Sequence, residues 1–124
     1  MTETALERDF SVVDAARRVH ARLGKRRPVD VYENELMEEL RMRGIGVREG
    51  KTTQILFGGR SAGVYLADIV LDGNVLIEIK RAQRLTDQEK ERFGCFVREF
   101  RYQRGYLMNF AGDDLEVETF PPSS

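Results

Sequence analysis

The stretch that decides the fold is ADIVLDGNVLIEIKRAQRLT, residues 67 to 86. Two short apolar runs rich in strand-forming residues flank the tripeptide Asp72-Gly73-Asn74, whose residue types are typical of a tight turn. Each run carries charge: Asp68 in the first, and Glu78 with Lys80 in the second. A strand with apolar residues on both faces is covered on both sides, so such carboxylates are costly unless they are paired or bound to a cation. The stretch therefore predicts a buried strand pair with a charged site.

The length of the turn decides whether the charges meet. A two-residue turn would place Glu78 on the sheet face opposite to that of Asp68. A three-residue loop over residues 72 to 74, with a left-handed residue and a bulge, would instead pair Leu71 with Val75. In that register Asp68 lies opposite Glu78. The sequence permits both loops, and we favour the second because it gathers the buried charges into one site.

Three charged residues in this arrangement suit phosphodiester hydrolysis. Asp68 and Glu78 would hold Mg²⁺ or Mn²⁺, because such ions are typically bound by one or two carboxylates together with waters and phosphate oxygens. The metal would activate a water, and Lys80 would orient that water and offset charge in the transition state. Strand alternation sends Glu78 and Lys80 to the same face, about 6.5 to 7 Å apart. An isolated Glu-x-Lys triplet more simply forms an ion pair, so the prediction depends on the upstream Asp, the turn and the apolar flanks.

Helical and strand patterns surround this stretch. A first helix, capped by Ser11, ends at Gly24, and a second helix ends at Gly44. The segments TTQILF, VYLADIVL and VLIEIK then form a strand meander, Thr86 caps a third helix, and GYLMNF and LEVETF are closing strands. The order ααβββαββ predicts an α/β (α+β) fold in which helices flank a mixed β-sheet.

Length and composition limit the class of protein. The 124 residues fit one domain spanning residues 1–124, with flexible ends at 1–10 and 121–124. Hydrophobic residues make up 41% and charged residues 33%, which excludes a disordered chain and a membrane protein. The acidic N-terminus lacks the apolar core of a signal peptide, so we expect a cytoplasmic protein with no membrane partner. One Cys and one His cannot form a zinc cluster, so any metal must be held by oxygen atoms.

The net charge of −1 does not by itself suggest a nucleic-acid partner, but the charges segregate along the chain. Acidic residues concentrate in YENELMEEL, whereas basic residues lie in ARLGKRR, in KRAQR and in the predicted third helix. Each run taken alone is more simply a solvated face. Around a carboxylate site they become candidates for nucleic-acid binding, namely Arg26, Arg27, Arg81, Arg84 and Arg92.

Four segments carry a family resemblance: VHARLG, VYENEL, ADIVLDGNVLIEIKRAQRLT and GYLMNF. In order and spacing they resemble the GxxExxY proteins, which belong to the PD-(D/E)XK nuclease-like superfamily, and the resemblance covers most of the chain. It implies a restriction-endonuclease-like core, a nuclease that depends on Mg²⁺ or Mn²⁺, and Asp68, Glu78 and Lys80 as the metal and catalytic positions.

The motif that gives the family its name is broken here. Where the family has Gly and then Glu ahead of the retained Tyr32, this chain has Arg26 and Val29. The helical carboxylate expected near the metal is therefore missing from its usual position. Asp30, beside it, or Glu33, one helical turn further on, is a candidate to replace it as a metal ligand.

A second departure lies in the third helix, where a Gln and a Tyr of the family align with Arg92 and Phe96. Arg92 is a candidate phosphate ligand at that position. The departures leave two functions open. One is a metal-dependent nuclease that acts on nucleic acid, with DNA as the expected substrate; the other is a catalytically degenerate module that binds nucleic acid or a protein partner without cleavage. A homodimer is compatible with either.

Overall fold

A computed structural model describes residues 5 to 121 except residues 50, 51, 58, 59, 67, 68 and 73, and for residues 5, 6, 49, 52 to 57 and 60 to 66 the description covers the backbone. The helices and strands of these ranges are α1 (Ala5–Leu23), α2 (Val29–Met42), β1 (Val47–Glu49), β2 (Thr52–Phe57), β3 (Arg60–Leu66), β4 (Ile69–Leu71), β5 (Val75–Lys80), α3 (Asp87–Glu99), β6 (Arg104–Asn109) and β7 (Glu116–Phe120). Among the described residues, no helix has the length and apolar character needed to cross a membrane.

The main sheet has five strands in the order β1-β4-β5-β6-β7. Strands β5 and β6 are parallel and the other pairs are antiparallel, so the predicted mixed sheet with flanking helices is confirmed. Strands β2 and β3 pair with each other antiparallel and in the register of β1 with β4, because Thr52 lies opposite Leu66 just as Glu49 lies opposite Ile69, three residues away on each strand. The predicted strand over VYLADIVL corresponds to the end of β3 and to β4, and residues 67 and 68 between them lie outside the described residues.

The loop between β4 and β5 has the predicted three-residue register. Leu71 lies opposite Val75, and Ile69 lies opposite Ile77. Asn74 has φ of 63°, which is the left-handed residue that this loop requires. Its side-chain amide donates to the carbonyl oxygen of Arg101 at 2.5 Å, which ties the loop to the end of α3. The register on which the sequence argument depends is therefore confirmed for the described part of β4.

The sheet is covered on both faces, as its apolar strands require. Val75, Ile77 and Ile79 of β5 pack into a core cluster with α1 and α2, whereas Leu76 packs into a second cluster with α3. On β6, a Cβ atom added at Gly105 would lie 2.5 Å from the Val97 side chain of α3. Glycine at this position therefore allows α3 to approach the strand backbone closely.

Helix α1 begins earlier than the sequence predicts. It includes Ala5 to Phe10, which belong to the predicted flexible end, so Ser11 lies inside the helix and does not cap it. The reason is tertiary: the carboxylate of Asp9 accepts hydrogen bonds from Arg104 and Tyr106 of β6. These contacts hold the first turns of α1 on the sheet. Residues 1 to 4 and 122 to 124, which also belong to the predicted flexible ends, lie outside the described residues.

The other helix boundaries follow local signals. Gly24 and Gly44 have φ of 79° and 80°, as expected of left-handed residues that end helices. Thr86 caps α3, and its hydroxyl accepts from the Glu89 N–H at 3.1 Å while the Glu89 carboxylate accepts from the Thr86 N–H at 3.3 Å. This reciprocal capping box fixes the start of α3 directly after the loop that leaves β5.

Candidate active site at the end of strand β5

Glu78 and Lys80 lie on the face of β5 that is turned toward α3, the face that also carries Leu76. The Lys80 Nζ atom is 3.6 Å from Glu78 Oε1. The two side chains are 19% and 33% exposed, so they are partly desolvated but accessible from solvent. The structure thus brings these two predicted site residues together.

Glu89 joins them from the first turn of α3. Its Oε2 atom is 3.3 Å from Lys80 Nζ, so the ammonium lies between two carboxylates. Burial alone would raise the pKa of Glu89, but hydrogen bonds from the Thr86 N–H and hydroxyl and from Lys80 lower that pKa below its usual value. We call Glu78, Lys80 and Glu89 the Lys80 cluster. Glu89 was not among the predicted site residues, although the Thr86-x-x-Glu89 capping box is visible in the sequence.

Asp68, the second predicted metal ligand, lies outside the described residues. Ile69 follows it directly, and the register of Ile69 against Ile77 is the one that the prediction requires. Within the described ranges, no group of three or more His, Cys, Asp or Glu side chains is arranged to hold a metal ion. The assignment of Asp68 and Glu78 as metal ligands therefore stays a prediction.

The two candidate replacements for the helical carboxylate lie on α2. Asp30 is exposed in the first turn and Glu33 is partly exposed. Helix α2 packs on the sheet face opposite to that which carries Glu78. A carboxylate of α2 would thus have to reach Glu78 around the end of β5, and its role as a metal ligand stays a prediction.

The chain that leaves β5 is held by a buried amide. Asn109 is 2% exposed; its Oδ1 accepts from the Ala82 N–H at 3.1 Å, and its Nδ2 donates to the Ala82 carbonyl at 2.9 Å. Nδ2 also donates to Glu116, whose carboxylate accepts from the Leu85 N–H as well. Asn109 therefore fixes the segment between Lys80 and α3, a role that its position before a turn did not reveal.

Four of the predicted nucleic-acid contacts lie at this end of the sheet. The Arg81 guanidinium donates to the Lys25 carbonyl at 3.2 Å, which places the α1–α2 loop next to the end of β5. Arg26 and Arg27 are exposed in that loop, and Arg84 is exposed in the segment that follows Arg81. Their clustering suits contact with a phosphate backbone, and binding itself stays a prediction.

Arg92 is the fifth predicted contact. It is exposed on α3, three residues after Glu89, and its guanidinium carbon is 5.6 Å from the centroid of the Phe96 ring. This cation–π contact holds the arginine along the helix surface. A phosphate contact at Arg92 stays a prediction.

A second charged cluster lies at the opposite end of the sheet, where β6 begins. Arg104 Nε donates to Asp9 Oδ1 at 3.0 Å, and the Tyr106 hydroxyl donates to the same oxygen. Burial raises the pKa of Tyr106 far above its usual value of 10.0, and the neighbouring Asp9 carboxylate adds to the effect. Asp9, Arg104 and Tyr106 form what we call the Asp9 cluster, which joins α1 to β6.

Comparison with known proteins assigns the family. A model of the PD-(D/E)XK nuclease superfamily matches residues 7–120. The chain belongs to this superfamily. Among solved structures, the crystal structure of SSO0001 is similar with a TM-score of 0.53 and 18% identity, over 91% of this chain and 67% of that chain. At this identity the likeness shows the fold. No curated protein matches the chain.

Membership of the superfamily indicates nuclease-type phosphodiesterase chemistry and binding of nucleic acid. Nucleases of this superfamily generally use divalent metal ions. The placement of an acidic and a basic side chain at the solvent-accessible end of the central strand is compatible with that chemistry.

Proposed function

We propose that this protein is a metal-dependent nuclease of the GxxExxY type that hydrolyses phosphodiester bonds in DNA through Asp68, Glu78 and Lys80. The observation that carries the proposal is the β4–β5 register, with Leu71 opposite Val75. Continued by one residue, that register would set Asp68 opposite Glu78. The alternative two-residue turn would have separated the two carboxylates onto opposite faces.

The donor chemistry fits a hard divalent cation. The Lys80 cluster contains two carboxylates and one ammonium, so it carries one net negative charge before Asp68 is counted. Mg²⁺ and Mn²⁺ prefer carboxylate oxygens and keep positions for water and phosphate. Asp68 and Glu78 would hold the ion, with Asp30 or Glu33 as a further ligand. When bound, the ion would supply a Lewis acid for the scissile phosphate and lower the pKa of the attacking water.

Lys80 supplies the positive charge of the protein itself. Its ammonium is held between Glu78 and Glu89, so the charge is positioned before substrate binds. In the site it would donate to the attacking water or to a non-bridging phosphate oxygen and offset the charge that develops in the transition state. Asn109 contributes indirectly, because it fixes the segment that follows Lys80.

The exposed arginines around the Lys80 cluster would bind the substrate backbone. Arg81 and Arg84 follow β5 directly, Arg26 and Arg27 lie in the adjacent α1–α2 loop, and Arg92 lies on α3. Contacts of this kind position a nucleic acid without reading its sequence. They account for how a chain with a net charge of −1 can approach DNA.

A second candidate function is binding of nucleic acid or of a protein partner without cleavage. The observation that favours it is the absence, within the described ranges, of a third metal-binding side chain grouped with Glu78. The replacement of the family's Gly and Glu by Arg26 and Val29 points in the same direction.

A cleavage assay separates the two candidates. Fluorescent single-stranded and duplex DNA, with RNA as a third substrate, would be incubated with the wild type, Asp68→Asn, Glu78→Gln and the control Glu38→Gln, which alters an exposed carboxylate of α2. We expect cleavage by the wild type and the control in Mg²⁺ or Mn²⁺, and loss of cleavage in the two site variants. A wild type that binds but never cuts with either metal would replace the nuclease with the binding module.

Melting curves test the metal site without activity. Binding to the native state alone raises stability by mass action, and a cation also relieves repulsion between neighbouring carboxylates. We expect millimolar Mn²⁺ to raise the melting temperature of the wild type and of Glu38→Gln more than that of Asp68→Asn or Glu78→Gln. Equal shifts in all four proteins would exclude a site at Asp68 and Glu78.

A further inference from the structure

A recess of about 440 Å³ lies at the connection between α1 and α2. Its volume is within the range of ligand-binding pockets. The recess is lined by Leu23, Gly24, Lys25, Arg26 and Arg27, and three of these five residues are cationic. We call it the basic recess. Its composition suits an anion.

The buried side chain of Tyr32 supports the loop that forms the basic recess. Tyr32 is fully buried; its hydroxyl donates to the Gly24 carbonyl at 2.5 Å and accepts from the Arg27 N–H at 3.2 Å. Its ring stacks on Phe110 with 4.5 Å between centroids. The Phe110 N–H in turn donates to the Lys80 carbonyl at 3.0 Å. A short chain of contacts therefore connects the recess to the candidate catalytic strand.

A second set of contacts joins the loop of the basic recess, and the end of α1 before it, to Arg81 and to the β6–β7 connection. The Arg81 guanidinium donates to the Lys25 carbonyl at 3.2 Å, and the Lys25 ammonium pairs with Asp113. His20, one turn before the end of α1, shares a hydrogen bond of 2.9 Å with the Gly112 carbonyl. Because Lys25 is bonded through its carbonyl to Arg81 and through its ammonium to Asp113 of the β6–β7 connection, little ordering of the loop is required when a ligand binds.

The charges of the recess are unequally compensated. Lys25 is paired with Asp113, and the Arg27 Nε atom donates to the Leu23 carbonyl at 3.4 Å. Within the described part of the chain, the exposed Arg26 guanidinium has no ion-pair partner. A planar guanidinium binds phosphate oxygens through two parallel hydrogen bonds, which makes Arg26 the strongest anion ligand in the recess.

We propose that the basic recess binds one backbone phosphate of the nucleic acid, distinct from the scissile phosphate at Lys80, and that Tyr32 is the positioning residue for this site. The identity of the ligand as nucleic acid rests on the proposed function. Arg26 would supply the guanidinium that binds the phosphate, and Tyr32 would hold the loop that carries Arg26.

The first test compares two arginine variants in equilibrium binding. Fluorescein-labelled DNA and RNA oligonucleotides of about 20 nucleotides would be titrated in EDTA at several NaCl concentrations, so that no cleavage occurs. We expect Arg26→Ala to weaken binding roughly tenfold and to lower the salt slope by about one. Arg41→Ala, which removes an exposed arginine at the far end of α2, should change neither by more than about twofold. Equal losses in both variants would overturn the proposal.

The second test uses Tyr32→Phe, which keeps the ring and its stacking on Phe110 but removes both hydrogen bonds to the loop. We expect binding to weaken at least threefold although no charge is lost, and the backbone amide signals of residues 24 to 27 to shift when oligonucleotide binds the wild type. A structural role alone would lower the melting temperature of Tyr32→Phe and leave the affinity of the folded protein unchanged. That result, or unshifted amide signals, would overturn the positioning role.

Cleavage rates measured on the same proteins separate this proposal from the nuclease. If the wild type cuts and Arg26→Ala binds as well as Arg41→Ala, the recess is not a phosphate site and the nuclease stands. If Arg26→Ala binds more weakly than Arg41→Ala and the wild type does not cut in the presence of either Mg²⁺ or Mn²⁺, the phosphate site stands and the nuclease proposal is wrong. A folded wild type that binds neither DNA nor RNA would overturn both.

Discussion

The Asp9 cluster and the Lys80 cluster lie at opposite ends of the two central parallel strands, and they differ in charge balance. In the Asp9 cluster one carboxylate meets one guanidinium and one hydroxyl, so the charges cancel. In the Lys80 cluster two carboxylates flank one ammonium and leave a net negative charge. The Asp9 and Arg104 side chains are 18% and 16% exposed, whereas Lys80 and Glu89 are 33% and 28% exposed; Glu78, at 19%, is about as buried as Asp9.

We infer from this difference that the Asp9 cluster serves the fold and that the Lys80 cluster is the candidate ligand site. A compensated and nearly closed cluster has no capacity left for another charge, and its loss is felt as instability. An accessible cluster with an excess of carboxylate can take up a cation or face a phosphate. The predictions below test this division, from the largest expected effect to the smallest.

The largest effect is expected at Lys80. Lys80→Ala should lower the cleavage rate by a factor on the order of 10² to 10³ or more, because it removes a charge that acts on the transition state. Substrate affinity should change by less than about threefold, since the ground-state complex makes little use of that charge. Single-turnover rates and anisotropy titrations on one preparation measure both. Normal cleavage by this variant would remove Lys80 from the active site.

The next effect is expected in the Asp9 cluster. Asp9→Asn should lower the free energy of unfolding by about 2 to 3 kcal/mol, because it leaves the Arg104 guanidinium partly buried beside a neutral partner. Urea denaturation measures the change, with the exposed Asp114→Asn as a control that should leave stability unchanged within error. Cleavage per folded molecule should match the wild type. If Asp9→Asn is as stable as the wild type but cleaves more slowly, the Asp9 cluster serves activity and not the fold, which would contradict the division.

A smaller effect separates the two roles of Glu89. Gln in place of Glu still accepts in a capping box, so Glu89→Gln should keep the start of α3 intact while it removes the negative charge beside Lys80. We expect roughly three- to tenfold slower cleavage with little change in melting temperature. Thr86→Ala should do the opposite, with about 1 kcal/mol lower stability and near-normal cleavage. Parallel losses of stability and rate in both variants would show that Glu89 acts through the helix cap alone.

The smallest effect is expected at alkaline pH. The pKa of Tyr106 is raised by burial and by Asp9, so above about pH 10 the unfolded chain releases this proton while the native protein retains it. The native state then binds more protons than the unfolded state, and stability falls as pH rises. Tyr106→Phe should therefore lose less stability than the wild type between pH 9 and pH 11, as followed by urea denaturation at each pH. Parallel pH curves for the two proteins would contradict the raised pKa.

The features that the sequence predicts well are those set by neighbouring residues. The helix ends at Gly24 and Gly44 and the Thr86 cap each depend on the conformational preferences of a few adjacent residues. The same locality explains why Glu78 and Lys80 are found on one face of β5. The β4–β5 loop is different, because local preferences permitted two loops and the charges decided between them.

The features that the sequence does not predict depend on distant partners. The start of α1 is held by Arg104, which lies 95 residues after Asp9. Glu89 could be seen as a capping residue, but its contact with Lys80 requires α3 to fold back over the sheet. The approach of the α1–α2 loop to Arg81 is of the same kind, because its two partners are 56 residues apart. No local sequence pattern predicts contacts between residues that are so far apart in the chain.

The pairing of β1 with β4 has a consequence for how this architecture can diversify. Glu49 lies opposite Ile69 and Thr52 lies opposite Leu66, so the β2–β3 pair extends the β1–β4 pair in the same register. Among the described residues, β2 and β3 pair with each other and with no further strand, so the length of this outer part of the hairpin can change without any slip of β4 against β5. The outer end of this hairpin can therefore vary in length while the pairing of β4 with β5, and with it the position of Glu78 and Lys80, stays the same.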